Sequence, residues 1–190
     1  MLDTVAEYED GFWYDVIVFA IDTGVRHDGE LNRITPDEID YGKKNMTFFR
    51  PKTGKWSTVP LTNRALEVVK RRREVALKNK DNRFFPVSKS SLRHNWDKYI
   101  KLSGLNDEYT PYSTRHTFIT RLVEADVSPK AVQHLAGHKS IETTLQYYTH
   151  STNEVLENAI TKLENYKSDK AKKVAKVSTL IGHNSRKVLK

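Results

Sequence analysis

Hydrophobic and polar positions follow a helical period along most of the chain and a strand period in one region. Apolar residues recur at helical spacing over residues 10–21, which predicts an amphipathic helix there. Residues 46–50 and 56–59 have strand character and flank Lys52-Thr53-Gly54-Lys55, which predicts a β-hairpin. We expect residues 31–39 to form a loop that leads into a first strand.

Capping residues predict where the other helices begin and end. Ser128-Pro129 and Gly137 give one helix its N-cap, its first-turn proline and its terminating glycine. The Ser151-x-x-Glu154 capping box precedes an apolar helical face over residues 155–163. The remaining predicted helices span residues 62–78 and 91–102, most of the chain after Pro111, and a short segment from Ser140. The pattern therefore predicts an α+β protein that is mainly helical.

Composition narrows the class of protein. With 190 residues, of which 37% are hydrophobic and 29% charged, the chain has the size and composition of one globular domain. No apolar run approaches the roughly 18 residues that a membrane span requires. The absence of cysteine excludes disulfides and thiolate metal sites, and it favours a cytoplasmic setting.

The net charge of +8 favours a polyanionic partner, and its distribution divides the chain. Residues 161–190 hold nine Lys/Arg residues against Glu164 and Asp169, a net charge of +7, so the other residues carry only +1 in total. A folded body that binds DNA must therefore do so through a local basic face. We expect a folded domain over residues 1–166 and a basic tail over residues 167–190 that is flexible or docks on the same or a neighbouring chain.

Several separated segments hold residues that suit one reaction. These segments are Thr23-Gly24-Val25-Arg26, the hairpin Lys52-Thr53-Gly54-Lys55 leading to Val59-Pro60-Leu61, residues 110–118 (Thr-Pro-Tyr-Ser-Thr-Arg-His-Thr-Phe), and Leu135-Ala136-Gly137-His138 followed by residues 143–150 (Thr-Thr-Leu-Gln-Tyr-Tyr-Thr-His). In this order they resemble the signature of the tyrosine recombinase (phage integrase) family. The resemblance covers about residues 12–160, and it identifies residues 1–166 as a catalytic domain.

The resemblance implies a fold and a function. The fold is a helical catalytic domain with a small three-stranded antiparallel sheet. The function is site-specific DNA recombination or integration, as in phages and other mobile elements, by strand cleavage and rejoining through a covalent 3′-phosphotyrosine. The enzymes of this family also carry an N-terminal DNA-binding domain to which nothing here corresponds, so we expect this sequence to be part of a longer or truncated protein.

The reaction explains the residue types. Attack on a phosphodiester builds negative charge on the non-bridging oxygens, and the planar, always protonated guanidinium is suited to clamp them. Arg26 and Arg115 are the expected pair. A tyrosine is both nucleophile and leaving group, which makes the strand joint reversible. Tyr148 matches the family's Tyr-Thr-His motif, and Tyr147 is the alternative, since two adjacent helical residues point about 100° apart.

The resemblance also assigns proton transfer and support. The hairpin lysine, Lys52, is the expected general acid for the leaving 5′ oxygen, and Lys55 is its competitor in the same hairpin. His138 corresponds to a phosphate-binding or proton-handling histidine. We expect His116 to support the site rather than to act on DNA. The reaction requires no metal and no cofactor.

The sequence departs from the family pattern at two positions near the expected arginines. Tyr112 stands where the family usually has a histidine, three residues before the second arginine, and a phenol contacts phosphate but does not exchange protons near pH 7. Gly29 stands where the family places an acid after the first arginine. One extra residue in this turn would make Glu30 the partner of Arg26, with Asp28 as the second choice.

Partners follow from the same resemblance. We expect double-stranded DNA as the ligand, homotetramers on two duplexes for the full-length protein, and no membrane. The apolar face of residues 155–163 or the strand-like residues 174–181 would pack on a neighbouring protomer or on the chain's own core. Two alternatives remain open: a catalytically impaired DNA-binding or regulatory protein, and a type IB topoisomerase-like relaxer. The expected phosphate contacts outside the clamp are Lys43, Lys44, Arg50, Arg93 and His94.

Overall fold

The computed structural model describes residues 1–8, 11–78, 82–148, 157 and 160–166. The chain divides into two compact units, residues 1–148 and residues 149–190. In the second unit, residues 160–166 are helical. The expected capping box at residues 151–154 and the basic tail over residues 167–190, with its strand-like segment, lie outside the described residues.

The first unit is mainly helical. Its helices are α1 (Leu2–Tyr8), α2 (Phe12–Thr23), α3 (Asn63–Lys78), α4 (Lys89–Leu102), α5 (Ser113–Glu124), α6 (Pro129–Ala136) and α7 (Glu142–Leu145), with single 3₁₀ turns at Leu31–Arg33, Pro36–Glu38 and Gln146–Tyr148. The helices expected from the sequence are present, with ends shifted by one or two residues. Helix α1 and the 3₁₀ turns were not expected.

A small antiparallel sheet lies between α2 and α3 in the chain. Its strands are β1 (Ile39–Asp40), β2 (Asn45–Arg50) and β3 (Lys55–Pro60), in the spatial order β1-β2-β3. The β2–β3 register runs from Asn45 opposite Pro60 to Arg50 opposite Lys55. The sheet and the helices together confirm the expected α+β class with three antiparallel strands.

The helices begin where side chains satisfy their free N–H groups. Thr62 Oγ1 accepts from the Ala65 N–H at 3.0 Å before α3, and Ser88 Oγ accepts from the Ser91 N–H at 3.1 Å before α4. Helix α6 ends at Gly137 in the left-handed conformation. The glycine cap fixes the C-terminus of α6, whose last carbonyls lie at the candidate site.

The core forms around α2, which packs against α3 and α5. Phe19 and Phe85 are fully buried, and their ring centroids are 5.1 Å apart. A second cluster joins Val5 of α1 to Trp96 and Tyr99 of α4, which explains why the N-terminal residues are helical here. Within the described part of the chain, no helix is both long enough and apolar enough to cross a membrane.

Candidate active site

Arg26 follows the left-handed turn that ends α2. Gly24 has a φ of 62°, and a Cβ at this position would overlap the Phe118 ring, so only glycine fits. Arg26 Nη1 donates to Glu30 Oε1 at 2.7 Å, and the Arg26 backbone N–H donates to the other oxygen of the same carboxylate at 2.8 Å. Asp28, the second choice from the sequence, is exposed and faces a lysine of α4. Glu30 is therefore the carboxylate that orients Arg26.

Arg115 lies in the first turn of α5 and is almost completely buried. Its Nη1 donates to the Gly24 carbonyl at 2.7 Å, and its Nη2 donates to the Ala136 carbonyl. Burial lowers the pKa of Arg115, and the neighbouring Arg26 lowers it further. Arg115 and Arg26, the pair expected to act as a clamp, donate to the adjacent carbonyls of Ala136 and Gly137, so their guanidinium groups lie close together.

Arg50 was expected to contact DNA, but in this structure it is buried and its guanidinium is held inside the fold. The side chain is only 1% exposed, because Arg50 shares the inward face of β2 with Met46 and Phe48. Its guanidinium carbon lies 4.6 Å from the centroid of the Phe48 ring. Burial lowers the pKa of Arg50 to about 10, and Glu30, whose Oε2 lies 3.3 Å from Arg50 Nη1, opposes that shift.

The arginines share one set of acceptors, the carbonyls at the C-terminus of α6. The bonds are Arg50 Nη2 to Leu135 O at 2.8 Å, Arg50 Nη1 to Ala136 O at 3.2 Å, Arg115 Nη2 to Ala136 O, and Arg26 Nη2 to Gly137 O at 3.1 Å. The last carbonyls of a helix have no partner within it and carry its negative dipole end, so cations stabilise them. The end of α6 is therefore fixed by side chains from three other parts of the fold. The sequence analysis did not predict this role of Arg50. Strand alternation places Arg50 on the same face of β2 as Met46 and Phe48, and this pattern would have indicated an inward side chain.

His138 follows Gly137 and lies near Arg26, Arg50 and Arg115. Its Nδ1 lies 2.8 Å from Oγ1 of the buried Thr144, which fixes the ring orientation. Burial, together with the positive charges of Arg115 and Arg26, lowers the pKa of His138 to about 4. The imidazole is therefore neutral near pH 7.

The two adjacent tyrosines lie in the 3₁₀ turn Gln146–Tyr148 and point in different directions. Tyr147 Oη lies 2.7 Å from His116 Nδ1, and its ring stacks on His138 with centroids 6.4 Å apart. Tyr148 Oη donates instead to the Val127 carbonyl. The sequence motif favoured Tyr148 as the nucleophile, whereas in this structure Tyr147 is the phenol among the histidines and arginines.

Tyr112 and His116 are exposed residues at the edge of the candidate site. Their rings meet edge to face with centroids 4.8 Å apart, one helical turn separating them. Tyr112 also influences the pKa of Arg115, raising it by charge and by hydrogen bonding. Tyr112 thus lies beside the clamp, where phosphate contact was expected.

Lys52 lies in the exposed turn between β2 and β3. With Lys55 it lines a cleft of about 400 Å³ that His138 and Lys139 also line. The hairpin lysines and the Gly137–His138 turn therefore share one basic cleft. Of the other expected DNA contacts, Lys43, Lys44, Arg93 and His94 are exposed.

The sequence model of the phage integrase family matches residues 4–154. The chain belongs to this family. A tyrosine recombinase of Agathobacter rectalis is 46% identical over 65 residues, which cover 34% of this chain and 21% of the relative. The tyrosine recombinase XerD of Corynebacterium glutamicum is 34% identical over 113 residues, which cover 53% of this chain and 37% of the relative. The chain therefore spans only a minor part of the length of these curated relatives.

Solved structures of phage integrase relatives show the same fold. The Tn1549 transposon integrase in complex with transposon right end DNA superposes with a TM-score of 0.68 at 20% sequence identity. The superposition covers 86% of this chain and 62% of that chain. At this identity the likeness shows the fold alone, and it confirms the architecture expected from the family resemblance.

Proposed function

We propose that this chain is the catalytic part of a tyrosine-type site-specific recombinase that cleaves and rejoins DNA through a 3′-phosphotyrosine. The observation that carries the proposal is the convergence of Arg26, Arg115, His138 and Tyr147 around the C-terminus of α6. Membership of the phage integrase family and the names of the relatives agree with it. The reaction needs no metal or cofactor in this mechanism.

The guanidinium groups of Arg26 and Arg115 bind the scissile phosphate. Arg26 is the more accessible of the two, with 12% of its side chain exposed. Glu30 and the Gly137 carbonyl hold Arg26 before DNA arrives, and the Gly24 and Ala136 carbonyls hold Arg115. Little reorganisation is therefore needed when charge develops on the phosphate. Neutral His138 adds one further hydrogen bond to a non-bridging oxygen.

Tyr147 is the nucleophile in this proposal. Its Oη forms a bond to phosphorus while the bond from phosphorus to the 5′ oxygen breaks. Lys52, on the exposed hairpin turn, donates a proton to the departing 5′ oxygen and becomes neutral. Rejoining reverses these steps with a 5′ hydroxyl of the same or another strand.

The partner is double-stranded DNA, and we expect the full-length protein to act as a homotetramer on two duplexes. Structures of relatives with DNA support the choice of ligand. The setting is the host cytoplasm or nucleoid, where a mobile element meets chromosomal DNA.

A covalent-trapping experiment tests the proposal. A labelled pool of nicked duplexes of randomised sequence lets the short 5′-hydroxyl fragment diffuse away, so any adduct persists through denaturing electrophoresis. We expect adducts with the unaltered chain and with Tyr148→Phe, and none with Tyr147→Phe. DNA binding with no adduct from the unaltered chain would instead support a regulatory DNA-binding protein.

A further inference from the structure

The hydroxyl of Tyr147 has a specific partner in the site. Tyr147 Oη lies 2.7 Å from His116 Nδ1, and the two ring centroids are 5.7 Å apart. His116 lies on α5, the helix that also carries Arg115, so its position is fixed relative to the clamp. The ring is exposed on its other side, which leaves it free to exchange a proton with solvent.

The protonation states give this hydrogen bond a direction. Burial raises the pKa of Tyr147, which keeps the phenol protonated in the free protein. Burial lowers the pKa of His116, and Arg115 lowers it further, so the imidazole is neutral near pH 7. A protonated phenol therefore faces a neutral imidazole, and with the imidazole proton on Nε2 the phenol donates to Nδ1.

Other titratable groups near the phenol are poorly suited to take its proton. Arg115 remains protonated in proteins. His138 directs Nδ1 to Thr144, and its ring centroid is 6.4 Å from that of Tyr147. Tyr112 stands where the family resemblance led us to expect a histidine, and its phenol lacks the basic ring nitrogen that could accept a proton. His116 lies one helical turn after Tyr112 and presents the ring nitrogen that this position lacks.

We propose that His116 is the general base that activates Tyr147, an inference that rests on the proposed function. As the bond between Tyr147 Oη and phosphorus forms and the bond to the 5′ oxygen breaks, the phenol proton moves to His116 Nδ1. A separate proton, from Lys52, reaches the departing oxygen, so protons balance on both sides of the reaction. In rejoining, protonated His116 returns its proton to Tyr147 as the phenol leaves phosphorus.

The test measures single-turnover adduct formation on a nicked duplex selected from the randomised pool, with the full 190-residue chain. His116→Ala and His116→Asn should both cleave about 100-fold more slowly, in line with the usual contribution of a general base. His116→Asn keeps an acceptor oxygen but takes up no proton, so it separates proton transfer from hydrogen bonding. Added imidazole should restore at least about a tenth of the lost rate to His116→Ala. Thr120→Ala, at an exposed position one turn further along α5, is the matched control and should cleave at the normal rate.

A second substrate distinguishes deprotonation of the Tyr147 nucleophile from protonation of the departing 5′ oxygen. Replacing the 5′ bridging oxygen with sulfur gives a leaving group that needs no proton, so it should rescue Lys52→Ala but not His116→Ala. Rescue of His116→Ala by sulfur, or normal cleavage by His116→Asn, would overturn the assignment of His116 as the base. If the unaltered chain forms no adduct, it is the proposed function that fails. If Tyr147→Phe still forms an adduct, the proposed function stands, but the assignment of Tyr147 as the nucleophile is overturned, and that of His116 as its base with it.

Discussion

At the scale of single residues, the site depends on one buried carboxylate. Glu30 is 1% exposed and accepts from Arg26 and from Arg50, so one negative charge lies between two guanidinium groups. Removing a partner from a buried ion pair leaves charge without compensation, which costs far more than an exposed pair is worth. Glu30 therefore stabilises the fold as well as the clamp.

We predict that Glu30→Ala lowers the free energy of unfolding by about 3–5 kcal/mol. Urea unfolding followed by circular dichroism measures the change. Asp28→Ala is the matched control, because Asp28 is exposed and its ion pair with Lys89, at 3.4 Å, is exposed as well. Its effect should stay below about 1 kcal/mol. Equal effects of the two substitutions would contradict the role given to Glu30.

His138 makes stability depend on pH. Its pKa in the folded chain is about 4, below the ordinary value of 6.5, so the unfolded chain binds the proton at a higher pH than the folded one. The contribution of the neutral ring is therefore complete above about pH 6.5 and is lost as the pH falls towards 4. We expect the free energy of unfolding to fall over this window and His138→Gln to reduce the decline. A His94→Gln control, at an exposed position, should leave the decline as it is; no difference between the two variants would refute the coupling.

At the scale of elements, local sequence patterns predicted the helices and the hairpin, whereas the contacts between elements could be seen only in the structure. Alternation over β2 located the strand, and the same alternation directs Arg50 inward. Which acceptors Arg50 finds depends on α6, some 85 residues later. Which of Tyr147 and Tyr148 contacts His116 of α5 likewise depends on how the elements pack, and no local spacing contains that information.

The end of α6 provides a test at this scale. Gly137 and Gly54 have nearly equal φ values of 65° and 66°, but a Cβ at Gly137 would lie 2.7 Å from Arg50 atoms, and one at Gly54 would meet nothing within 4 Å. Gly54→Ala should cost about 1 kcal/mol of backbone strain. Gly137→Ala should cost about 1–3 kcal/mol more, since Arg50 must move from its carbonyl acceptors. Thermal and urea unfolding of both variants give the comparison, and equal costs would show that the contact with Arg50 is unimportant.

At the scale of the whole molecule, the proposed DNA binding depends on exposed basic side chains rather than on total charge. Lys43 and Lys44 are exposed beside the sheet, whereas Arg50 is buried and donates to the α6 carbonyls. Each phosphate contact releases counterions and steepens the dependence of affinity on salt.

We predict that replacing Lys43 and Lys44 together with alanine reduces the slope of log affinity against log salt by about two. Fluorescence anisotropy with a labelled duplex across a salt series measures the slope. Lys70→Ala is the control, because Lys70 pairs with Glu67 at 2.8 Å on α3. An unchanged slope in the double variant would remove this face from the DNA interface.

The most direct measurement is the chemical identity of the residue that bears the DNA. The trapped adduct is digested with nuclease and trypsin, and the peptide that contains both tyrosines is fragmented by mass spectrometry. We predict a nucleotide mass on Tyr147, the phenol that faces His116 and His138. A nucleotide on Tyr148, whose hydroxyl donates to the Val127 carbonyl in this structure, would contradict the arrangement proposed for the site.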